Sequence, residues 1–223
     1  RLLVEDNGTG FDATHQRREG FGLGNMRARA GQIGAVLQCT SQPGAGTQVP
    51  IWLLGSSLYS AQLAAQLGLP FAFASHFAPR MLMQAIQIYR QTFRPSQQLA
   101  APYVAIGVPL VAAPSDEEAT YLASSTHQRV LGILTGRRGQ LPPPVENFLS
   151  SLDSGAQAAI ADFLAAAVIG GPDTVRAGLQ QLAALTQANE LVLVSDVYDA
   201  ESRRRSLDIA AAAARELNAA VAQ

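Results

Sequence analysis

Three serines fall where an apolar run gives way to a helix-forming segment: Ser56, Ser57 and Ser60. A helix N-terminus presents unpaired backbone N–H groups and a partial positive charge, so hydroxyls gathered there suit an anion such as a phosphate. The plainer role is an N-cap, worth about 1 kcal/mol to the helix. His76 closes a second apolar run, Phe71 to Ser75. At a strand end it could hydrogen-bond a ligand or move a proton, or merely plug the rim. Asp196 and Asp199 follow the last apolar run and can meet a ligand or cap the next helix. Arg137 and Arg138 lie in GRRGQLPPP, where they either grip an anion or remain a solvated pair. His15 reads as a solvated loop residue and His127 as a solvated or packed helix residue.

The elements that must position these groups follow from pattern. Val49 to Leu54 is almost continuously apolar, as in a strand buried on both faces. Ala61 to Leu67 carries good helix formers, with Leu63 and Leu67 one turn apart, and Gly68 is placed to stop the helix. Phe71 to Ser75 then completes a strand–helix–strand unit with parallel strands. Downstream, Pro79 to Phe93 predicts a helix with Leu82, Ile86 and Tyr89 as its apolar stripe. Tyr103 to Ala112 predicts a strand. Ser115 and the acidic run Asp116 to Glu118 start a helix reaching about Thr135. Helices are predicted over 145–152, 156–167 and 172–185, a strand over 190–195, and a terminal helix whose Arg203 to Arg205 form a solvated face.

Several of these stretches resemble the luciferase-like, FMN-dependent monooxygenases. LLGSSLYSAQLAAQLGLPFAFASHFAP is similar to the middle of that family. The likeness continues through IYRQTFRPS, LPPP, GGPDTV and ANELVLVSDVYDAESRRRSLDIAA, over roughly 49–215. The resemblance implies a (β/α) barrel whose serine-rich turn, here Ser56, Ser57 and Ser60, holds the flavin phosphate. It implies FMN as cofactor, with reduced flavin and a small molecule as reactants. Active sites of such barrels gather at the C-terminal ends of strands, which makes His76 the candidate catalytic residue. Four parallel-type strands are legible, against eight in a full barrel. The expected fold is therefore α/β: a half TIM-type (β/α) barrel over 49–223, preceded by an α+β fragment (strand, helix, hairpin) over 1–48. Its open edges would be covered by the N-terminal strands, by a second copy in a homodimer, or by a missing N-terminal half.

Residues 1–48 have a different character. DNGTGFD and GFGLGNMRARAGQIGA are glycine-rich turn clusters, and SQPGAG separates two strand-like segments, 35–40 and 47–54, as in an antiparallel hairpin. These stretches resemble the C-terminal half of a histidine-kinase ATPase domain. By that resemblance Asp6 recognises the adenine amino group, and Gly8, Gly10, Gly22 and Gly24 let the backbone wrap a nucleotide. The part of that domain carrying the catalytic acid and a magnesium-binding asparagine is not among these residues, so the likeness implies ATP binding at most. The two resemblances meet at VPIWLL without a linker. The alternatives to a flavoenzyme are thus an ATP-binding sensor-kinase fragment or a non-catalytic fusion product. Arg1 opens within an apolar strand pattern, as expected of a truncated chain.

Composition narrows the classes. The 223 residues are 48% hydrophobic with a formal net charge of −1, enough for a substantial core and giving no basic footprint for nucleic acid. No apolar run approaches membrane-spanning length. Cys39 is alone, which excludes an intrachain disulfide and disfavours a cysteine metal cluster; no metal site is expected. Lysine is absent, so no side-chain amine is available for a Schiff base. A cytoplasmic location is the expectation.

Overall fold

The computed structural model describes residues 40–42, 46–48, 51–137 and 139–221. Asp6, Gly8, Gly10, His15, Gly22, Gly24, Cys39 and Arg138 lie outside the described residues. Among the described residues the first two strands, β1 (Thr40–Gln42) and β2 (Gly46–Gln48), pair antiparallel with Thr40 opposite Gln48. They form their own two-stranded sheet. Among the described residues no ladder joins this hairpin to the larger sheet. The expected shared strand VPIWLL is corrected. Ile51 and Trp52 are not in a strand, and β3 is only Leu53–Gly55.

From β3 onward the chain alternates: α1 (Leu58–Leu67), β4 (Phe71–Phe73), a 3-10 turn at Pro79–Met81, α2 (Leu82–Thr92), β5 (Val104–Ala112), α3 (Asp116–Leu134), a 3-10 turn at Leu149–Ser151, α4 (Ser154–Phe163), β6 (Val168–Gly170), α5 (Pro172–Thr186), β7 (Glu190–Ser195) and α6 (Ala200–Val221). The predicted helix over 145–152 is reduced to that one 3-10 turn. Asn147 has φ +55°, left-handed backbone that a right-handed helix cannot pass through. The short strand β6 was missed in sequence because Ala166 and Ala167 extend the helix-like pattern before it.

All pairing in the five-stranded sheet is parallel, in the order β3-β4-β5-β6 with β7 on β5. This is an α/β half-barrel arrangement, as expected. β5 is its axis, and all nine of its residues are buried. On one side it pairs with β7 over 105–110. On the other it pairs first with β4 over 104–106, then with β6 over 110–112. Between these blocks the ladder has a gap. Backbone groups of alternate residues point to the same side. Tyr103 O accepts from Phe71 N on the β4 side, so Gly107 and Pro109 also face that side. Pro109 has no N–H to satisfy, and the gap is where a central strand tolerates it. The Gly107 carbonyl in the same gap accepts a hydrogen bond from the Ser75 hydroxyl.

Register divides the sheet into two faces. Phe71, Phe73, Val104, Ile106, Val108, Leu110, Leu191 and Leu193 share one face and form the core with Ala61, Ala64, Ile86, Tyr89, Val175, Leu179 and Ala210 of the helices. The positions of α2 that pack there, Leu82, Ala85, Ile86 and Tyr89, follow helical spacing. The inner face carries Leu54, Ala72, Ala105, Gly107, Pro109 and Val192. It is partly open, with Leu54 71% and Val192 51% exposed.

Tyr89 ties the layers together. Its ring is fully buried, its hydroxyl donates to Leu69 O at 2.8 Å, and it accepts from Tyr103 N at 3.1 Å. Tyr89→Phe keeps the ring and removes both bonds. The expected cost is about 1–3 kcal/mol, measured as a lower urea midpoint with an unchanged m-value.

Candidate functional site

The serine turn joins β3 to α1 in a parallel β-α-β unit. Ser57 is the N-cap of α1 in a capping box. Ser60 N donates to Ser57 Oγ at 3.2 Å, Ser57 N donates to Ser60 Oγ at 3.3 Å, and the Ser60 hydroxyl donates to Ser57 O at 2.7 Å. The capping role is therefore occupied by Ser57 and Ser60 together. Ser56 is half-buried, and no described residue hydrogen-bonds its hydroxyl. The Leu58 and Tyr59 amides of the first turn likewise lack a partner among the described residues. The first turn carries no acidic side chain. Gly55 makes the turn tight: a Cβ there would lie 2.3 Å from Ser60 Cβ and Oγ. A small anion fits this chemistry, with the Ser56 hydroxyl and two amides as donors.

His76 follows β4 in the turn Ser75–Phe77, closed by Phe77 N donating to Ala74 O at 3.0 Å. Its ring lies against the inner face at Gly107, where an added Cβ would come within 2.7 Å of His76 Nδ1. Only glycine leaves room for the imidazole. That Nδ1 is buried and has no hydrogen-bond partner among the described residues. The ring also packs on Phe77, with centroids 4.2 Å apart. Burial lowers the His76 pKa below its ordinary value of 6.5; Asp196 pulls it up and Arg129 pushes it down. The imidazole is thus neutral at neutral pH, able to accept a proton at one nitrogen while holding one at the other.

Asp196 follows β7 and forms an ion pair with Arg129 of α3. Its backbone carbonyl accepts from the Thr126 hydroxyl at 3.3 Å. Asp196 is therefore a partner of the rim and not a helix cap. The capping role falls to Asp199, whose carboxylate accepts from Ser202 N at 2.7 Å, a bond that also lowers its pKa. His76, Asp196 and Arg129 come from three elements, which sequence order does not reveal. Arg129 and Gly107 escaped sequence reading altogether. Arg129 sits on a charged helix like many surface arginines, and Gly107 lies in an unbroken apolar strand. His127, by contrast, is buried with an unpartnered Nδ1, and burial lowers its pKa. Arg205 of the predicted solvated face pairs with Glu118 at 3.3 Å. No group of metal-ligating side chains is present among the described residues, and no described helix is long and apolar enough to cross a membrane.

Comparison with known proteins identifies a family. The profile of the luciferase-like monooxygenases matches residues 28–188. The chain is 43% identical over 175 residues to a luciferase-like monooxygenase of Escherichia coli K12, covering 78% of this chain and 52% of the relative. The crystal structure of apo-MsnO8 superposes with a TM-score of 0.61 at 32% identity, covering 74% of this chain and 51% of that one. The chain thus spans about half the length of the relatives it matches. A stretch of 50 residues, 22% of this chain and 14% of the other, is 42% identical to the sensor protein VraS of Staphylococcus saprophyticus. That is a short likeness, and it stands as a hint of a kinase-type segment.

Two outcomes follow from the geometry. Gly107→Ala is expected to displace the imidazole from the inner face, read as a rise of the His76 pKa toward 6.5 by NMR titration. Histidines 76 and 127 both have depressed folded pKa values. Below pH about 6.5 the unfolded state binds more protons, so stability is present above that pH and lost as pH falls toward the folded values. Urea midpoints should be lower at about pH 5.5 than at about pH 7.5, and His127→Gln should narrow that gap.

Proposed function

Because the chain belongs to the luciferase-like monooxygenase family, we propose that it carries the phosphate-binding and proton-handling half of an FMN-dependent oxidoreductase site. The observation that carries this reading is the tight turn at Gly55–Ser60. It leaves one hydroxyl and two helix amides free for an anion beside a parallel-strand end. Ser56 and the Leu58 and Tyr59 amides would bind the phosphate, while Ser57 and Ser60 fix the turn in shape. When bound, reduced flavin supplies the electrons for oxygen chemistry. His76, neutral and set on the inner face, orients the substrate by a hydrogen bond or takes its proton. The Arg129–Asp196 pair holds the charge balance around that imidazole. Phe77 shields one side of the imidazole ring.

The chain's own sheet makes one wall of such a site. Leu54 and Val192 on the inner face, and the outer edges of β3 and β7, call for cover by the other strand–helix units of a barrel. We take that cover to be an N-terminal half, since the relatives are about twice as long; self-association as a homodimer is the competing outcome. An ATP-binding role rests on Asp6, Gly8, Gly10, Gly22 and Gly24, which lie outside the described residues, and on the short sensor-protein likeness.

The test compares FMN with riboflavin, which lacks the phosphate. FMN is expected to bind at least about tenfold tighter, read by quenching of flavin fluorescence. Ser56→Ala should erase most of that preference and leave the melting temperature unchanged. Equal affinities for the two flavins in the wild-type chain would rule out a phosphate seat. Binding of an ATP analogue that is lost in Asp6→Ala would favour the kinase-type reading instead.

A further inference from the structure

A cavity of about 570 Å³ opens beside the rim, between α3, the loop that follows it and the end of α4. Phe77, Ile133, Pro142 and Phe163 form its apolar walls, and Arg129 and Arg137 supply its charge. Phe77 is 63% exposed and packs on His76, so one aromatic ring is shared between this cavity and the inner-face site. Arg129 spends one nitrogen on Asp196, while its Nε is buried without a partner among the described residues. Arg137 is exposed and has no carboxylate partner among the described residues. No carboxylate is among the described residues that line the cavity. With Arg129 already neutralised by Asp196, Arg137 is the one uncompensated cation among the described lining residues, set against two phenylalanines, an isoleucine and a proline.

We propose that this cavity binds a small organic monocarboxylate with an apolar body, the carboxylate on Arg137 and the hydrocarbon between Phe77 and Phe163. The volume is that of an ordinary small-molecule pocket. A guanidinium matches a carboxylate through parallel N–H···O bonds, and the apolar walls take up the hydrocarbon body. The carboxylate's role as substrate rests on the flavin reading above; its binding does not.

The experiment uses the full chain without flavin and two probes of the same shape, 2-naphthoate and the neutral 2-naphthamide, titrated by calorimetry. Naphthoate is expected to bind about tenfold tighter or better, with a preference that falls as salt is raised. Arg137→Gln should abolish the preference without changing the melting temperature, since the side chain is exposed. Phe163→Ala should weaken both probes together. Val192→Ser, on the open sheet face, should alter neither. Equal binding of the two probes, or a preference that survives Arg137→Gln, overturns the proposal. So does loss of naphthoate binding in Val192→Ser alone. Carboxylate-selective binding in a chain that shows no FMN binding upholds the cavity and defeats the flavin reading; FMN binding without carboxylate selectivity does the reverse.

Discussion

The ladder on β5 is the constraint from which the rest of the structure follows. A nine-residue strand buried throughout must satisfy its backbone on both sides, and it does so with six-residue β7 on one side and three-residue β4 and β6 on the other. β4 and β6 share one side and leave a gap between them. Within that gap Pro109 needs no acceptor, and the Ser75 hydroxyl satisfies the Gly107 carbonyl. The same interruption lets the chain after β4 fold over the sheet, which brings His76 onto Gly107. A hydrogen-bonding necessity and a site feature thus share one origin.

The serine turn illustrates how a capping device can leave donors beside it uncommitted. Ser57 and Ser60 satisfy each other reciprocally, as a capping box does. That leaves them poorly placed to serve as the main donors to an outside anion. Ser56, just outside the box, has its hydroxyl available. Gly55 draws the strand end against Ser60, so the whole turn is compact and its remaining amides point in a common direction along the helix axis. Rigidity here comes from local bonds, and it requires nothing from the open side of the sheet.

The open side is the other defining property. Helices cover one face of the sheet with a continuous core, whereas the inner face carries small residues and two exposed aliphatic side chains. Small inner residues such as Ala72, Ala105 and Gly107 leave room above the sheet, which suits a flat ligand or the side chains of a facing wall. The Arg129–Asp196 pair closes the C-terminal end of this face and sets the electrostatics of both His76 and the neighbouring cavity.

Much of this was legible in the residues alone. Apolar runs with helix formers between them dictate parallel strands, because a crossover of that length cannot return the chain antiparallel by a tight turn. Gly68 and Ser57 act through backbone neighbours a few positions away, so the ends of α1 follow from local chemistry. The luciferase-like character also lies in the order of short motifs. Other features depended on distance in three dimensions. The helix expected over 145–152 yields to left-handed backbone at Asn147, and β6 exists only because β5 offers it a free edge at 110–112. The grouping of His76, Gly107, Arg129 and Asp196 unites four positions from across the fold, and no periodicity encodes it. The sequence by itself determined the strands and helices whose patterns are set between near neighbours, such as α1, α2, β5 and α3. Tertiary structure alone decided which side chains meet at the rim, since that depends on the register by which separate strands align along β5.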